Sequence, residues 1–347
     1  MVSLIPLILA STLSCSKSTP VVKPPSKVAF SSREVKFDVP DLTLEGTFEL
    51  PIGTTGKVPA ILLIPGSGPT DRNGNSGFVI TTDLLKQIAE ELAKNGIASL
   101  RFDKRAIRHY SSKWPKDMKE INHFFRWESF VNDASAAFDF LASQPEVDGT
   151  RVGILGHSEG ALISLQIGSD RRGKPNAPKA TFLMGSTGRP MGIIIHEQIA
   201  RELKNGGASE AVTKQYLDYV DSACSALKDG KPLPPGMPTP LGALFNPAAL
   251  DIVGAYCRID PVDLAKKVQG PVLVMNGAHD TQVSAERDTP RLLEALKSRK
   301  TGQVEALIVS DASHNFKNTK GSSDDAFNGP MVAKPLALIV KFAKANL

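Results

Sequence analysis

Val152-Gly153-Ile154-Leu155-Gly156-His157-Ser158-Glu159-Gly160-Ala161-Leu162-Ile163-Ser164-Leu165 is the stretch from which the rest of this chain is read. A continuous apolar run of strand character meets a glycine-flanked serine, and apolar residues at helical spacing (Ala161, Leu162, Leu165) follow at once. A Gly-x-Ser-x-Gly string alone is a weak signal; set between a buried strand and a helix, it specifies a sharp turn. Such a turn strains the serine backbone and brings neighbouring chain very close, and the glycines two residues to either side leave the room for it. Ser158 Oγ is then projected above a sheet, at a helix N-terminus whose free amides and positive dipole face any negative charge that develops there. A nucleophilic serine is the expectation.

Working outward, the chain alternates strands and helices. Val35 to Val39 and Leu42 to Leu50 alternate apolar and polar residues around Pro40-Asp41, which predicts an antiparallel hairpin with one solvated face. Ala60 to Ile64 is a short apolar run, as expected of a strand covered on both faces, and it ends at Pro65-Gly66-Ser67-Gly68-Pro69. Leu84, Leu85, Ile88, Ala89 and Leu92 mark one face of a helix that stops at Asn95-Gly96, and Ile97 to Phe102 is the next strand. A helical stripe follows at Val131, Ala134, Phe138 and Leu141, then strands at Val152 to Leu155 and at Thr181 to Met184 with the Ser158 helix between them. Strands at Val272 to Met275 and Val304 to Val309, a helix near Glu286 to Lys297, and a last helix over about 332–345 complete the pattern. Alternation of this kind predicts a doubly wound, mostly parallel sheet of eight strands. Between about residues 188 and 260 the alternation fails, giving polar helical segments and the breaker-rich stretch Lys231 to Pro240; this is read as a helical cap inserted into a domain spanning 31–347.

A serine hydroxyl is too weak an acid to attack a carbonyl unaided, so a base must lie within hydrogen-bond reach and must itself be oriented. The strand, elbow and helix resemble those of the α/β-hydrolase fold, where acid and histidine follow Ser in chain order on loops after late strands. Asp280, in Asn276-Gly277-Ala278-His279-Asp280, follows the strand that starts at Val272; His314, in Ser310-Asp311-Ala312-Ser313-His314, follows the next. Asp280 is the expected orienting acid, and Asp311, three residues before His314, the rival. His109, His123, His157, His196 and His279 are read as surface or structural residues. Two backbone amides are the expected oxyanion donors, that of Glu159 just after the nucleophile and that of Ser67 in the loop after the strand ending at Ile64. The Glu159 side chain is read as a bystander or an outlying hydrogen-bond acceptor.

The loop Ile64-Pro65-Gly66-Ser67-Gly68-Pro69-Thr70-Asp71-Arg72-Asn73-Gly74 resembles the signature loop of the EstD-like bacterial esterases. Leu44-Glu45-Gly46-Thr47, Arg101-Phe102-Asp103-Lys104-Arg105, Pro145-Glu146-Val147-Asp148, the Ser158 elbow, Asp280 and His314 fall where that family has its motifs, over about residues 33–346. The resemblance implies a carboxylesterase acting on short or medium acyl esters without a cofactor. It departs from the family after Arg105, where Ala106-Ile107-Arg108-His109 stands in place of a Gly, altering one wall of the site. Arg72 and Arg105 are expected to brace the oxyanion loop by pairing with Asp71 or Asp103, or to be solvated surface charge. A thioesterase, acyltransferase or peptidase would use the same three side chains, and a non-catalytic surface lipoprotein is the alternative outside enzymology.

Composition bounds the remainder. With 347 residues, 41% hydrophobic and 22% charged, the chain has the make-up of a soluble globular protein with a large core. The formal charge of +5 is spread along the sequence without a basic stripe, which argues against nucleic-acid binding. Leu4 to Leu13 is mostly apolar but too short to span a bilayer, so residues 1–15 read as an export signal, with Thr12-Leu13-Ser14-Cys15 as a relaxed lipobox whose Cys15 would carry the lipid. Residues 16–30, rich in Pro, Ser and Lys, read as a tether. The expected address is the bacterial cell envelope or periplasm, with the membrane met only through that lipid. Cys224 and Cys257 are either a disulfide or two buried thiols, and no cysteine or histidine spacing suggests a metal site.

Overall fold

The computed structural model describes residues 29–77, 80–320 and 327–347. The export segment, Cys15 and most of the expected tether therefore lie outside the described residues; Phe30, placed in that tether, instead opens the first strand.

Strands β1 (Phe30–Val39) and β2 (Leu42–Pro51) form the expected antiparallel hairpin, with Val39 opposite Leu42. The chain then enters β3 (Val58–Ile64), α1 (Leu84–Ala93) and β4 (Ala98–Phe102). Next come the short helix α2 (Met118–Phe124), which periodicity did not reveal, α3 (Trp127–Ala142), β5 (Val147–His157), α4 (Glu159–Asp170) and β6 (Thr181–Met184). Four helices separate β6 from β7: α5 (Met191–Asn205), α6 (Glu210–Lys228), α7 (Leu250–Arg258) and α8 (Pro261–Ala265). The chain closes with β7 (Val272–Gly277), α9 (Ala285–Lys297), β8 (Val304–Val309) and α10 (Ala333–Asn346).

The eight strands form one sheet in the order β1-β2-β4-β3-β5-β6-β7-β8. β2 meets β4 antiparallel, and every pairing from β4 onward is parallel. Both faces are covered, which is why β3 reads as unbroken apolar sequence: Ala60, Leu62 and Ile64 join the core that includes α3, α4 and α9, while Ile61 and Leu63 join the one built with α1 and α10. Because the parallel strands point the same way, the loops after β3, β4, β5, β7 and β8 gather along one edge of the sheet.

In the helical segment, Ser209 caps α6 by accepting from the Val212 amide, and a disulfide between Cys224 and Cys257 joins α6 to α7 with Cα atoms 5.5 Å apart. Gly192 lets α5 pack onto that bridge, since a β-carbon there would sit 3.0 Å from Cys224 Sγ and 3.1 Å from Cys257 Sγ. The bridge spans 33 residues of sequence. Closing a loop of that length restricts the unfolded chain by about 3–4 kcal/mol in the chain-entropy picture. Replacing both cysteines with alanine is therefore expected to lower the unfolding free energy by about that amount in urea titrations, and an unchanged midpoint would contradict the bridge.

Candidate active site

Ser158 stands between β5 and α4 with φ 56° and ψ −119°, a left-handed conformation that side-chain-bearing residues rarely adopt. Its amide donates to Met184 O at 2.8 Å, anchoring the elbow to β6. The sequence makes this turn possible through two close approaches. A β-carbon at Gly156 would lie 2.0 Å from Gly160 O, and one at Gly160 would lie 2.3 Å from Ile64 O. The amide of Glu159 opens α4 and has no acceptor inside the helix. Ser158, Glu159, Ser67 and His314 all line one cavity of about 250 Å³.

His314 and Asp280 arrive from the loops after β8 and β7. His314 Nδ1 lies 2.7 Å from Asp280 Oδ2, and the Asp280 side chain is fully buried. The other carboxylate oxygen accepts from the Gln282 and Val283 amides, both at 2.8 Å, so the acid is held rigidly. An Nδ1–H that donates to a carboxylate leaves the Nε2 lone pair of a neutral imidazole directed away from it. Gly185 clears the space beside the ring, where a β-carbon would come within 3.0 Å of His314 Cε1. Asp311, the rival acid, shapes its own turn, accepting from Ser310 Oγ at 3.2 Å and, through its carbonyl, from the Thr319 amide at 3.0 Å. Lys317 pins the same loop, donating to Thr82 O at 2.5 Å and Gly329 O at 2.6 Å, with its pKa lowered to about 8 by burial.

His157 is a buried structural residue that touches the site. Its Nε2–H donates to the His314 carbonyl at 2.9 Å, and the two rings lie 4.7 Å apart. Burial, together with the neighbouring His314 ring, pushes its pKa down to about 3 against the smaller, opposing effect of that hydrogen bond.

Around the loop after β3, some expected partners change. Arg72 does pair with Asp103, through Nη2 at 2.6 Å and Nε at 3.0 Å, while its amide donates to Asp103 Oδ1 at 2.8 Å. Arg105 pairs with neither Asp71 nor Asp103. It reaches across to α3, where Asp133 receives both Nε at 2.8 Å and Nη2 at 2.7 Å. Glu159 is no bystander: fully buried, it accepts from Lys104 Nζ at 2.6 Å and from the Tyr256 hydroxyl. Lys104 and Tyr256 were not singled out in the sequence, because the pairing joins three segments far apart along the chain and no local spacing signals it. The Gly-to-Ala106 departure does reach the site, since Ala106 lines the cavity. Among the described residues, no group of three or more His, Cys, Asp or Glu side chains is placed to hold a metal ion, and no helix is long and apolar enough to cross a membrane.

No protein-family model matches the chain. Esterase EstD of Thermotoga maritima is 29% identical over 298 residues, 83% of this chain and 62% of that protein. An acylaminoacyl peptidase of Pyrococcus horikoshii superposes with a TM-score of 0.57 at 17% identity, over 92% of this chain and 42% of that one. The chain has the α/β-hydrolase fold and is a homologue of esterase EstD. It spans about 62% of the length of that curated relative. Two further solved structures share the fold of this EstD homologue along nearly their whole length. Est1E from Butyrivibrio proteoclasticus has a TM-score of 0.52 at 16% identity, with 90% of this chain and 96% of that one covered. A Pyrococcus furiosus esterase has 0.54 at 15%, with 91% of each covered.

The buried His157 of this EstD homologue sets a pH dependence. The native state keeps the ring neutral down to about pH 3, whereas the unfolded chain protonates it near the ordinary histidine value of 6.5. The unfolded state therefore binds the extra proton through that window, and stability falls as pH falls, by about 1.4 kcal/mol per unit from this one group. A His157→Gln variant is expected to flatten the slope of unfolding free energy between pH 6 and 4 by roughly one proton; an unchanged slope would mean that the ring titrates normally in the fold.

Proposed function

We propose that this chain is a serine carboxylesterase that cleaves small, neutral acyl esters through an acyl-enzyme intermediate. The observation that carries the reading is the His314–Asp280 contact at 2.7 Å, with His314 lining the same cavity as a serine held in the strained elbow conformation. In the proposed cycle Ser158 Oγ bonds to the ester carbonyl carbon while His314 Nε2 takes the hydroxyl proton. The tetrahedral oxyanion is received by the Ser67 and Glu159 amides. As the carbon–oxygen bond to the alcohol breaks, His314 returns the proton to the leaving alkoxide. Water then attacks the acyl-enzyme, giving its proton to His314, and the carboxylic acid departs as Ser158 is reprotonated. Asp280 holds the imidazole in the required tautomer and stabilises its cationic form.

The cavity favours an ester over a peptide substrate. Its far wall is apolar, with Met191, Ile194 and Ile195 from α5 and Ile252 and Val253 from α7. Among the described residues that line it, the one Lys and the one Glu are bound to each other, and none offers a free carboxylate to a peptide's terminal ammonium. The disulfide fits a chain that folds in an oxidising compartment, consistent with export to the cell envelope and a lipid on Cys15.

The test is direct. Ser158→Ala is expected to remove hydrolysis of short p-nitrophenyl esters by at least about 10⁴-fold and to abolish fluorophosphonate labelling, with the thermal transition retained. Asp280→Asn is expected to cost about 10⁴-fold in kcat, and Asp311→Asn to leave most activity. Retained turnover in Ser158→Ala would refute the proposal. Faster cleavage of acylated amides than of esters would replace the esterase reading with a peptidase one.

A further inference from the structure

One ammonium group lies at the meeting point of three strand ends. Lys104 follows β4, and its Nζ donates at 3.0 Å to the carbonyl of Gly66, in the loop after β3, and at 2.6 Å to Oε1 of Glu159, the first residue after the elbow that ends β5. The second oxygen of Glu159 accepts from the hydroxyl of Tyr256 on α7. The Lys104 side chain is 3% exposed and that of Glu159 0%. The ammonium also lies 4.9 Å from the centre of the Phe130 ring, so its surroundings are accounted for by the protein itself.

What these contacts hold is specific. A peptide group is planar and trans, so the Gly66 carbonyl and the Ser67 N–H are two ends of one rigid plate and point in opposite directions. Glycines stand on both sides of Ser67, and Gly68 has φ +78°, so the backbone itself offers little resistance to rotation of that plate. The next plate along is fixed separately, by Thr70 Oγ1 donating to Ser67 O at 2.7 Å. Lys104 is therefore the tether for the plate that carries the Ser67 N–H, and through Glu159 it is tied as well to the residue whose amide is the other expected donor.

We propose that Lys104 is a positioning residue for oxyanion binding: by tying the Gly66 carbonyl to the Glu159 carboxylate, it fixes the Ser67 and Glu159 amides in a convergent arrangement. The proposal rests on the esterase reading above. It assigns Lys104 no contact with substrate and no proton transfer. A buried ion pair is a poor source of stability compared with apolar residues of the same volume. Its value here lies in direction, because an ammonium can serve a carbonyl and a carboxylate at once, and an apolar side chain can serve neither.

The experiment compares Lys104→Met, Lys104→Met/Glu159→Gln and Lys104→Arg with the unmodified chain, using a short p-nitrophenyl ester and a trifluoromethyl ketone that forms a tetrahedral oxyanion on the serine. Rates are expressed per serine titrated with a fluorophosphonate, so that any unfolded fraction drops out. Lys104→Met leaves Glu159 as an unpaired buried carboxylate and is expected to melt lower; the double variant removes both charges and restores the melting temperature. In Lys104→Met and the double variant, kcat is expected to fall roughly a hundredfold, as for loss of one oxyanion donor, with KM changed by no more than about twofold and the ketone's affinity falling in step with kcat/KM; Lys104→Arg, which keeps a cation able to donate to both oxygens, is expected to retain more of kcat than either. A double variant with unmodified kcat would overturn the proposal, and so would a loss confined to KM or a Lys104→Arg variant no more active than Lys104→Met. Ser158→Ala separates the two layers: turnover in that variant sinks the esterase reading itself, whereas an inactive Ser158→Ala beside fully active Lys104 variants sinks only the positioning role.

Discussion

The backbone of Ser158 is the constraint from which the rest of this site follows. A non-glycine residue at positive φ costs of order 1–3 kcal/mol and persists only where its surroundings leave no alternative. Here those surroundings are the amide bond from Ser158 to Met184 O, the contact of Gly156 with the Gly160 carbonyl, and that of Gly160 with the Ile64 carbonyl. Each ties the elbow to a different neighbour: β6, the first turn of α4 and the end of β3. The strained residue is thus held by the parallel sheet itself, and its side chain stands clear of the strands that hold it.

This explains why the fold was legible from the sequence. The glycines at 156 and 160 are demanded by backbone atoms less than 3 Å from where a β-carbon would sit, so the motif reports a close approach and not merely a composition. The apolar runs at β3, β6 and β7 were readable because a strand covered on both faces has no polar side to interrupt it. α2 escaped notice because its seven residues bury only Phe124 and so carry no helical stripe. The residues placed in the site from sequence were those whose roles are set by position along a strand-end loop: Ser158, Asp280, His314 and the Ser67 loop. Long-range polar partners were only partly legible. Arg105 finds Asp133 on α3, and Glu159 finds Lys104 and Tyr256, through contacts that link residues 28, 55 and 97 positions apart.

The polar groups around the cavity follow a consistent rule. Four cations near the loop after β3 meet their counter-charges inside the protein: Lys104 with Glu159, Arg72 with Asp103, Arg101 with Glu49 and Arg105 with Asp133. Paired in this way, these four ion pairs add rigidity without adding net charge to the cavity wall. Arg101 extends the pattern, since its guanidinium also donates to the side chain of Asn73 in the loop after β3. Two arginines and one lysine thus fasten that loop to β4, and the loop's own glycines account for why it needs so many fastenings.

The helical segment between β6 and β7 takes part in the same arrangement. Tyr256 on α7 reaches the residue beside Ser158, and the adjacent residue, Cys257, is bonded to Cys224 on α6. One helix therefore supplies apolar cavity wall through Ile252 and Val253, a hydroxyl to the buried carboxylate through Tyr256, and a covalent attachment to its neighbour through Cys257. Side chains one residue apart on a helix diverge by about 100°, so Tyr256 can face inward to the sheet while Cys257 faces α6. The wall that would shape an acyl pocket and the network that would orient the oxyanion donors consequently share a single rigid element. A change in α7 that altered the size of the pocket would also be felt at Glu159, which couples what the cavity can accept to how well the site beside it is held.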